Sequence, residues 1–384
     1  MLKRIPRYSP FKDKEKFSAI FSENVKYFYV VLFVLAFFIP VFIPNKYVIH
    51  TFISVMLYMV LALGLNIIPG FTGLLDLGYV GFYAIGAYTA ATMTYHLGTL
   101  GPPWGFLSSF WFILPIAALN GALWGILLGV PTLRLTGDYF AIVTFGFASL
   151  VELIIINEMW LTRGPMGIIM DHKPVMNLAF MYPLTKHFFA EPIRFTLVGD
   201  APFFYILLSI VIITIIIMNR LEDSRLGRAW FAIREDEIAA ECSGINIMKY
   251  KVIAFAISAS FGGLAGSVFA FWFMFTSPES FKFWESILIL CMVVLGGMGS
   301  IPGVILGALV LTSLTEVVRE LLDPWPDLVQ ARFLVFGVIL IVMMRFKPAG
   351  LIPLSRVKRE MGSRDKSIID AMNESFYKFK SGKG

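Results

Sequence analysis

The stretch LGRAWFAIREDEIAAECSGINIMKYK (226–251) is rich in charge and lies between two apolar runs, PFFYILLSIVIITIIIM (202–218) and VIAFAISASFGGLAGSVFAFWFMF (252–275). Neither flanking run contains a Lys, Arg, Asp or Glu. Each is long enough to cross a bilayer as a helix, for which ~17–25 residues suffice. The charged stretch therefore reads as a water-facing element tied between two membrane spans. That reading sets the fold class as all-α, a polytopic transmembrane helical bundle.

Composition agrees with it along the whole chain. Of the 384 residues, 58% are apolar and only 15% charged, and the mean hydropathy is +0.77. A water-soluble domain of this length cannot cover so much apolar surface, so lipid must be much of its solvent. Apolar runs recur at 27–44, 48–68, 71–95, 106–130, 138–157, 202–219, 252–275, 285–317 and 331–346. The run 285–317 is too long for one span and is interrupted by GGMGSIPG (296–303). Gly and Pro there predict two short spans or a re-entrant hairpin. The total is about 8–10 crossings. A basic arm (1–26), a transmembrane domain (27–352) and a basic tail (353–384) follow from the same pattern. The polar, basic arm lacks the apolar core of a signal peptide, so the first run is expected to be retained as a span.

Lys and Arg set the orientation. With the N-terminus inside, the inner segments are 1–26, 131–137, 219–251 and 345–384, holding seven, one, six and ten Lys or Arg. About three quarters of the total of 32 then face the cytoplasm, as the positive-inside rule requires. Both termini and the loop 220–251 are placed there. The outer segment 158–201 balances Arg163, Lys173, Lys186 and Arg194 against Glu158, Asp171, Glu191 and Asp200. It is long for a simple connection and is expected to carry structure of its own.

The residues of soluble enzyme chemistry are missing. There is no G-x-x-x-x-G-K-[ST] phosphate loop, and GGMGSIPG lies between apolar runs rather than after a soluble strand. His50, His96, His172 and His187 lack metal-ligand spacing, and Cys242 and Cys291 form no framework. Acids inside apolar runs face protein or water. Asp76 and Glu152 are therefore read either as lining a pathway or as acids near helix ends. Glu285, opening a short span, fits the second reading better. Asn66, Thr144 and Ser149 are weaker members of the set. Small residues at helical spacing (Gly78, Gly81 and Gly86; Gly262 and Gly266; Gly303 and Gly307) predict close helix packing, as do Gly296, Gly297 and Gly299 at the break.

Within 226–251, a helix is predicted that ends at Gly244. Phe231, Ile238 and Cys242 would share one stripe, and Arg234 would pair with Glu237 at i,i+3. Arg228, Glu235 and Asp236 complete its charged surface. A cytoplasmic helix held between two spans suits the docking of a soluble partner.

Several segments together resemble the M-type permease subunits of bacterial branched-chain amino acid ABC transporters. They are GFTGLLDLGYVGFYAIGAYTAA (70–91), PTLRLTGDYFAIVTFGF (131–147), TRGPMGI (162–168), SRLGRAWFAIREDEIAAECSGINIMKYKVIAFAISASFGGLAGS (224–267), MVVLGGMGSIPGVILGALV (292–310) and RFKPAGLI (345–352). The resemblance spans about 48–352 in order. It implies an importer of the bacterial cytoplasmic membrane. Its partners would be two ATPase subunits, a second related permease and a periplasmic or lipid-anchored substrate-binding protein. No cofactor is expected on this chain, ATP and Mg belonging to the ATPases. The importer coupling motif E-A-A-x-x-x-G is matched by Ala239, Ala240 and Gly244, while Ile238 stands where that pattern has Glu, with Glu237 one place earlier.

Two other classes remain open on sequence. A urea or short-amide permease shares the superfamily, although LLDLGYVGFYAIGAY is closer to the amino acid permeases. An ion-coupled secondary transporter would suit broken spans and acids such as Asp76 and Glu152. A membrane-embedded enzyme lacks any nucleophile–base or metal constellation.

Overall fold

Helix succeeds helix wherever the apolar runs are long, because in lipid each backbone N–H and C=O must be paired within its own segment. The computed structural model describes residues 45–98, 109–132, 138–170, 175–177, 194–196, 200–322 and 350–352, with a few isolated positions besides. The basic arm, the tail beyond 353, and most of the runs 27–44 and 331–346 lie outside the described residues.

The helices are α1 (Lys46–Leu65), α2 (Tyr79–Gly98), α3 (Phe110–Thr132), α4 (Asp138–Asn157), α5 (Asp200–Asp223), α6 (Arg225–Glu235), α7 (Glu237–Cys242), α8 (Ile247–Phe273), α9 (Phe283–Gly296) and α10 (Ile301–Leu322). A π-helical turn, Ile67–Thr72, extends α1. Among the described residues six stretches are long and apolar enough to cross a membrane: Lys46–Thr72, Phe110–Thr132, Tyr139–Asn157, Phe203–Asp223, Ile247–Phe273 and Ile301–Val318. α2 is as long as these, at 20 residues, but richer in Tyr, Thr and Gly. α9 has only 14 residues. The fold class is as the sequence predicts, a polytopic helical bundle.

Helix α8 is central, packing on α1, α2 and α3. Glycine makes this possible. A Cβ at Gly86 would lie 2.0 Å from the Gly263 carbonyl oxygen, and one at Gly263 would lie 2.4 Å from that of Ala117. Three helices thus touch backbone to backbone, the approach that small residues permit in membranes. Tyr79, Phe82, Phe110, Phe140 and Phe255 fill the space around these contacts and are fully buried. The opposite face of α3 shows Leu119, Leu123 and Leu127, which are 70%, 60% and 59% exposed. Such a face suits hydrocarbon, which is no less apolar than a leucine side chain.

The break at 296–303 exists as predicted. Gly297 (φ 114°) and Gly299 (φ 88°) adopt left-handed backbone, which suits glycine alone. The chain reverses there, and α9 and α10 lie antiparallel, with Gly296 facing Gly303 and Gly307 facing Met292. The segment is therefore a helical hairpin with one short arm.

The outer segment has structure of its own in its described parts. A single turn (Met159–Thr162) and a 3-10 turn (Gly164–Met166) lead to strand Ile168–Ile169, antiparallel to Phe275–Thr276. Val175–Asn177 pairs with Arg194–Thr196 in the same sense.

The prediction of one helix over 226–251 is corrected. The segment holds two short helices, α6 and α7, before α8 begins at Ile247. Asp236 is extended (φ −160°, ψ 113°) and ends one helix while starting the next.

Candidate functional site

Three short polar side chains define the segment between α5 and α8. Ser224 caps α6, accepting from the Leu226 and Gly227 N–H groups at 3.1 and 3.2 Å. Asp236 caps α7, its Oδ1 accepting from Ile238 and Ala239 at 2.9 and 3.0 Å. Asn246 caps α8, accepting from Lys249 at 3.0 Å. Each cap satisfies donors that a helix start leaves unpaired. Gly244 (φ 82°) lies just past the end of α7, where the sequence places a stop.

The inner side of this segment is anchored in the bundle. Trp230 is fully buried. Its Nε1 donates to the Tyr250 carbonyl at 2.8 Å, and its ring stacks with Phe71 of the π-turn at 6.3 Å between centroids. Phe231 meets the same ring at 5.2 Å. Ile233 and Ala240 are also buried. Arg234 Nη1 donates a short hydrogen bond to the Gly70 carbonyl. Arg228 Nη1 donates to the Asp223 carbonyl at 2.8 Å, satisfying the end of α5.

The i,i+3 pair predicted between Arg234 and Glu237 does not form. The break at Asp236 puts them on different helices. Arg234 turns inward to Gly70, and Glu237 accepts from Lys251 Nζ at 2.6 Å. Lys251 is 4% exposed and Glu237 43%. The same break dissolves the predicted stripe: Phe231 is half-buried, whereas Ile238 and Cys242 are exposed. What remains exposed is Arg225 and Arg228 on α6 and, around α7, Glu235, Asp236, Ile238, Ala239, Glu241, Cys242, Ser243 and Gly244. Ile238, 75% exposed, is the one large apolar side chain among them.

The residues singled out in the membrane region fall into two groups. Asn66 closes α1, and its Oδ1 accepts from the Gly299 N–H at 2.8 Å. Gly296 and Gly297 adjoin this point, and residues 350–352 lie against them, Leu351 and Ile352 donating to the carbonyls of Leu295 and Gly296. The second group is Asp76, Gly78 and Thr144. Asp76 Oδ1 accepts from the Gly78 N–H at 2.8 Å just ahead of α2. Thr144 Oγ1 accepts from the Leu77 N–H at 3.2 Å, and a Cβ at Gly78 would lie 2.0 Å from the Thr144 carbonyl oxygen. This geometry matches an acid near a helix end. Glu285 behaves alike, in the first turn of α9, accepting from Tyr58 Oη at 2.9 Å. Glu152 stands apart, half-buried on α4, and Ser149 is exposed, donating to the Phe145 carbonyl at 3.2 Å.

Sequence reasoning missed Lys251, Trp230 and Gly70. Trp230 had a signal, since a tryptophan in a charged stretch between two apolar runs needs a buried site. Lys251 and Gly70 had none, because their partners come from other helices. Among the described residues no three His, Cys, Asp or Glu side chains are grouped to hold a metal.

A bundle of apolar helices with glycine-mediated packing, paired backbone breaks and a capped, charged segment between two spans defines a multi-pass membrane protein. Residues 47–344 match the family "Branched-chain amino acid transport system / permease component", and the chain belongs to that family of transport permeases. It is 42% identical over 340 residues to the high-affinity branched-chain amino acid transport system permease protein LivM of Escherichia coli K12, covering 86% of this chain and 76% of that one. It is 42% identical over 317 residues to the protein of the same name from Salmonella typhimurium, covering 80% and 70%. It is also 25% identical over 308 residues to the Escherichia coli K12 permease protein LivH of the branched-chain system, covering 79% and 93%. No solved structure matches the chain.

Proposed function

We propose that this chain is a permease subunit of an ATP-driven importer of leucine, isoleucine or valine, and that 224–246 is its docking segment for two ATPase subunits. The observation that carries the reading is the contrast between the two sides of that segment. Inside, Trp230 and Glu237 fix it to the start of α8, through Tyr250 and Lys251, and Arg234 fixes it to the π-turn at Gly70. Outside, Ile238 is exposed on α7 with Glu235, Asp236 and Glu241, also exposed, within three residues of it in the chain. An exposed apolar residue flanked by exposed acids fits a groove with an apolar floor and basic edges.

The similarity to both LivM and LivH supports a second, related permease as the partner in the membrane. A substrate-binding protein on the outer side would deliver the amino acid. The membrane would be the bacterial cytoplasmic one, with both termini inside, a placement the Lys and Arg distribution supports. ATP and Mg sit on the ATPase subunits, so this chain performs no hydrolysis itself. The ligand is a zwitterion with an apolar side chain, and a pathway with few polar groups suits it when selectivity resides in the binding protein.

The test is affinity capture of the tagged chain from its host in mild detergent. The unaltered chain is expected to bring down ATPase subunits and a second permease. Ile238→Asp together with Ala239→Asp is expected to lose the ATPases and retain the permease. Equal ATPase recovery with and without these substitutions would overturn the reading.

A further inference from the structure

We infer that the docking segment drives the membrane region through the π-helical turn Ile67–Thr72 and the turn Gly297–Ser300, with Arg234 and Asn66 as the positioning residues that join the three. The inference rests on the proposed coupling to ATPases and says where that coupling goes next.

Four groups form an unbroken string. Arg234 on α6 donates to the carbonyl of Gly70. Gly70 in turn donates its N–H to the Asn66 carbonyl at 2.9 Å. The Asn66 side chain accepts from the Gly299 N–H at 2.8 Å. No slack exists in between, since a Cβ at Gly70 would lie 2.3 Å from Asn66 Oδ1 and 2.6 Å from the Gly299 nitrogen. The ring of Phe71, pressed between Trp230 and Phe231, makes a second contact between α6 and the same turn. All six residues of the π-turn are buried.

The string therefore links α6 to two irregular backbone stretches, the π-turn that extends α1 and the turn between α9 and α10. These are the places where a helical membrane protein is able to change shape. A regular helix moves as a rod, whereas π-turns and glycine turns can exchange hydrogen-bond partners at low cost. Packed contacts of this density transmit displacement rather than absorb it. A shift of α6 must displace the π-turn, and the Asn66 bond carries the shift to Gly299. Motion through the flanking span α8 by way of the Glu237–Lys251 pair is a separate route. It enters the bundle through α8, which itself packs on α1 and the π-turn.

The experiment uses the whole assembly in lipid vesicles and reads labelled leucine transported per ATP hydrolysed. This ratio is insensitive to the amount of folded protein. Arg234→Met is expected to lower it about tenfold, inside the 5–150-fold range of ordinary coupling free energies. Arg234→Lys, which keeps a donor, is expected to restore most of it. Asn66→Leu is expected to act like Arg234→Met, and Asn66→Asp, which keeps the acceptor, to stay near the unaltered ratio. Should Arg234→Met fail to assemble, the comparison of Asn66→Asp with Asn66→Leu decides in the same way. An unchanged ratio in the intact Met or Leu variant overturns the inference, as does equal failure of the donor- or acceptor-keeping variants. If the unaltered chain captures no ATPase subunits, the proposed function falls and the inference falls with it, before any ratio is measured.

Discussion

The glycine-lined core of α2, α3 and α8 and the capped segment 224–246 are held together by opposite means. In the core, glycine lets main chains meet: Gly86 against Gly263, Gly263 against Ala117, and Gly121 against Ala259. In the segment 224–246, side chains do the holding: caps at Ser224, Asp236 and Asn246, the Trp230 anchor, and the Glu237–Lys251 pair. The difference follows from the surroundings. Hydrocarbon offers no hydrophobic drive between helices, so close contact and dispersion must specify the pairing. Water competes for exposed backbone groups at helix ends, so local polar caps are needed there.

The largest effect that would break this contrast is at Gly86. Gly86→Leu places atoms where the Gly263 backbone already is, and overpacking of 1–3 kcal/mol or more is expected. Monodisperse protein in mild detergent should be lost on gel filtration. The control is Gly146→Ala on α4, whose Cβ would meet nothing within 4 Å. It should elute and melt like the unaltered chain. Equal tolerance at both sites would mean that the main-chain contacts do not specify the core.

Trp230→Ala comes next. Truncating a fully buried tryptophan costs about 3–5 kcal/mol in a soluble core. Here the loss should be local, seen as protease cutting within 224–246 while the bundle keeps its melting temperature. A fall in the global melting temperature instead would merge the two regions into one cooperative unit.

Glu237 and Lys251 sharpen the comparison through an asymmetry. Glu237→Gln strands a buried ammonium, whereas Lys251→Met leaves a carboxylate that water can reach. The first should therefore destabilise more, by about 1–3 kcal/mol, and adding Lys251→Met to it should recover part of the loss. Thermal melts of the three variants measure this. A larger loss from Lys251→Met alone would show that the carboxylate is the group in need of a partner.

The smallest effect on stability is expected at Ile238. At 75% exposure, Ile238→Asp should change stability by less than about 0.5 kcal/mol. A drop in melting temperature would mean that Ile238 packs within this chain instead of offering itself to a partner.

The course of the bundle was legible because apolar runs of span length have few alternative readings in lipid. Gly297 and Gly299 announced a chain reversal, and Gly244 a helix stop, because their conformations exclude most other residues. Asp236 was misread inside a continuous helix. Its double role, ending α6 and capping α7, leaves the charge pattern of a single amphipathic helix nearly intact. The partners of Arg234, Asn66 and Lys251 were illegible for a different reason. Each is a backbone group or side chain brought in by tertiary packing, and periodicity carries no record of it.

The short arm of the hairpin has a consequence for how the chain is made. At 1.5 Å per residue α9 extends about 21 Å, well short of a bilayer's hydrocarbon thickness of about 30 Å. Alone it is too short to cross that thickness as a straight helix. The carbonyls of Leu295 and Gly296 then wait for Leu351 and Ile352, which leave the ribosome more than fifty residues later. Until that point the turn at Gly297 has its backbone only partly satisfied, and the last turn of α9 is completed by one of the last parts of the membrane domain to be synthesised.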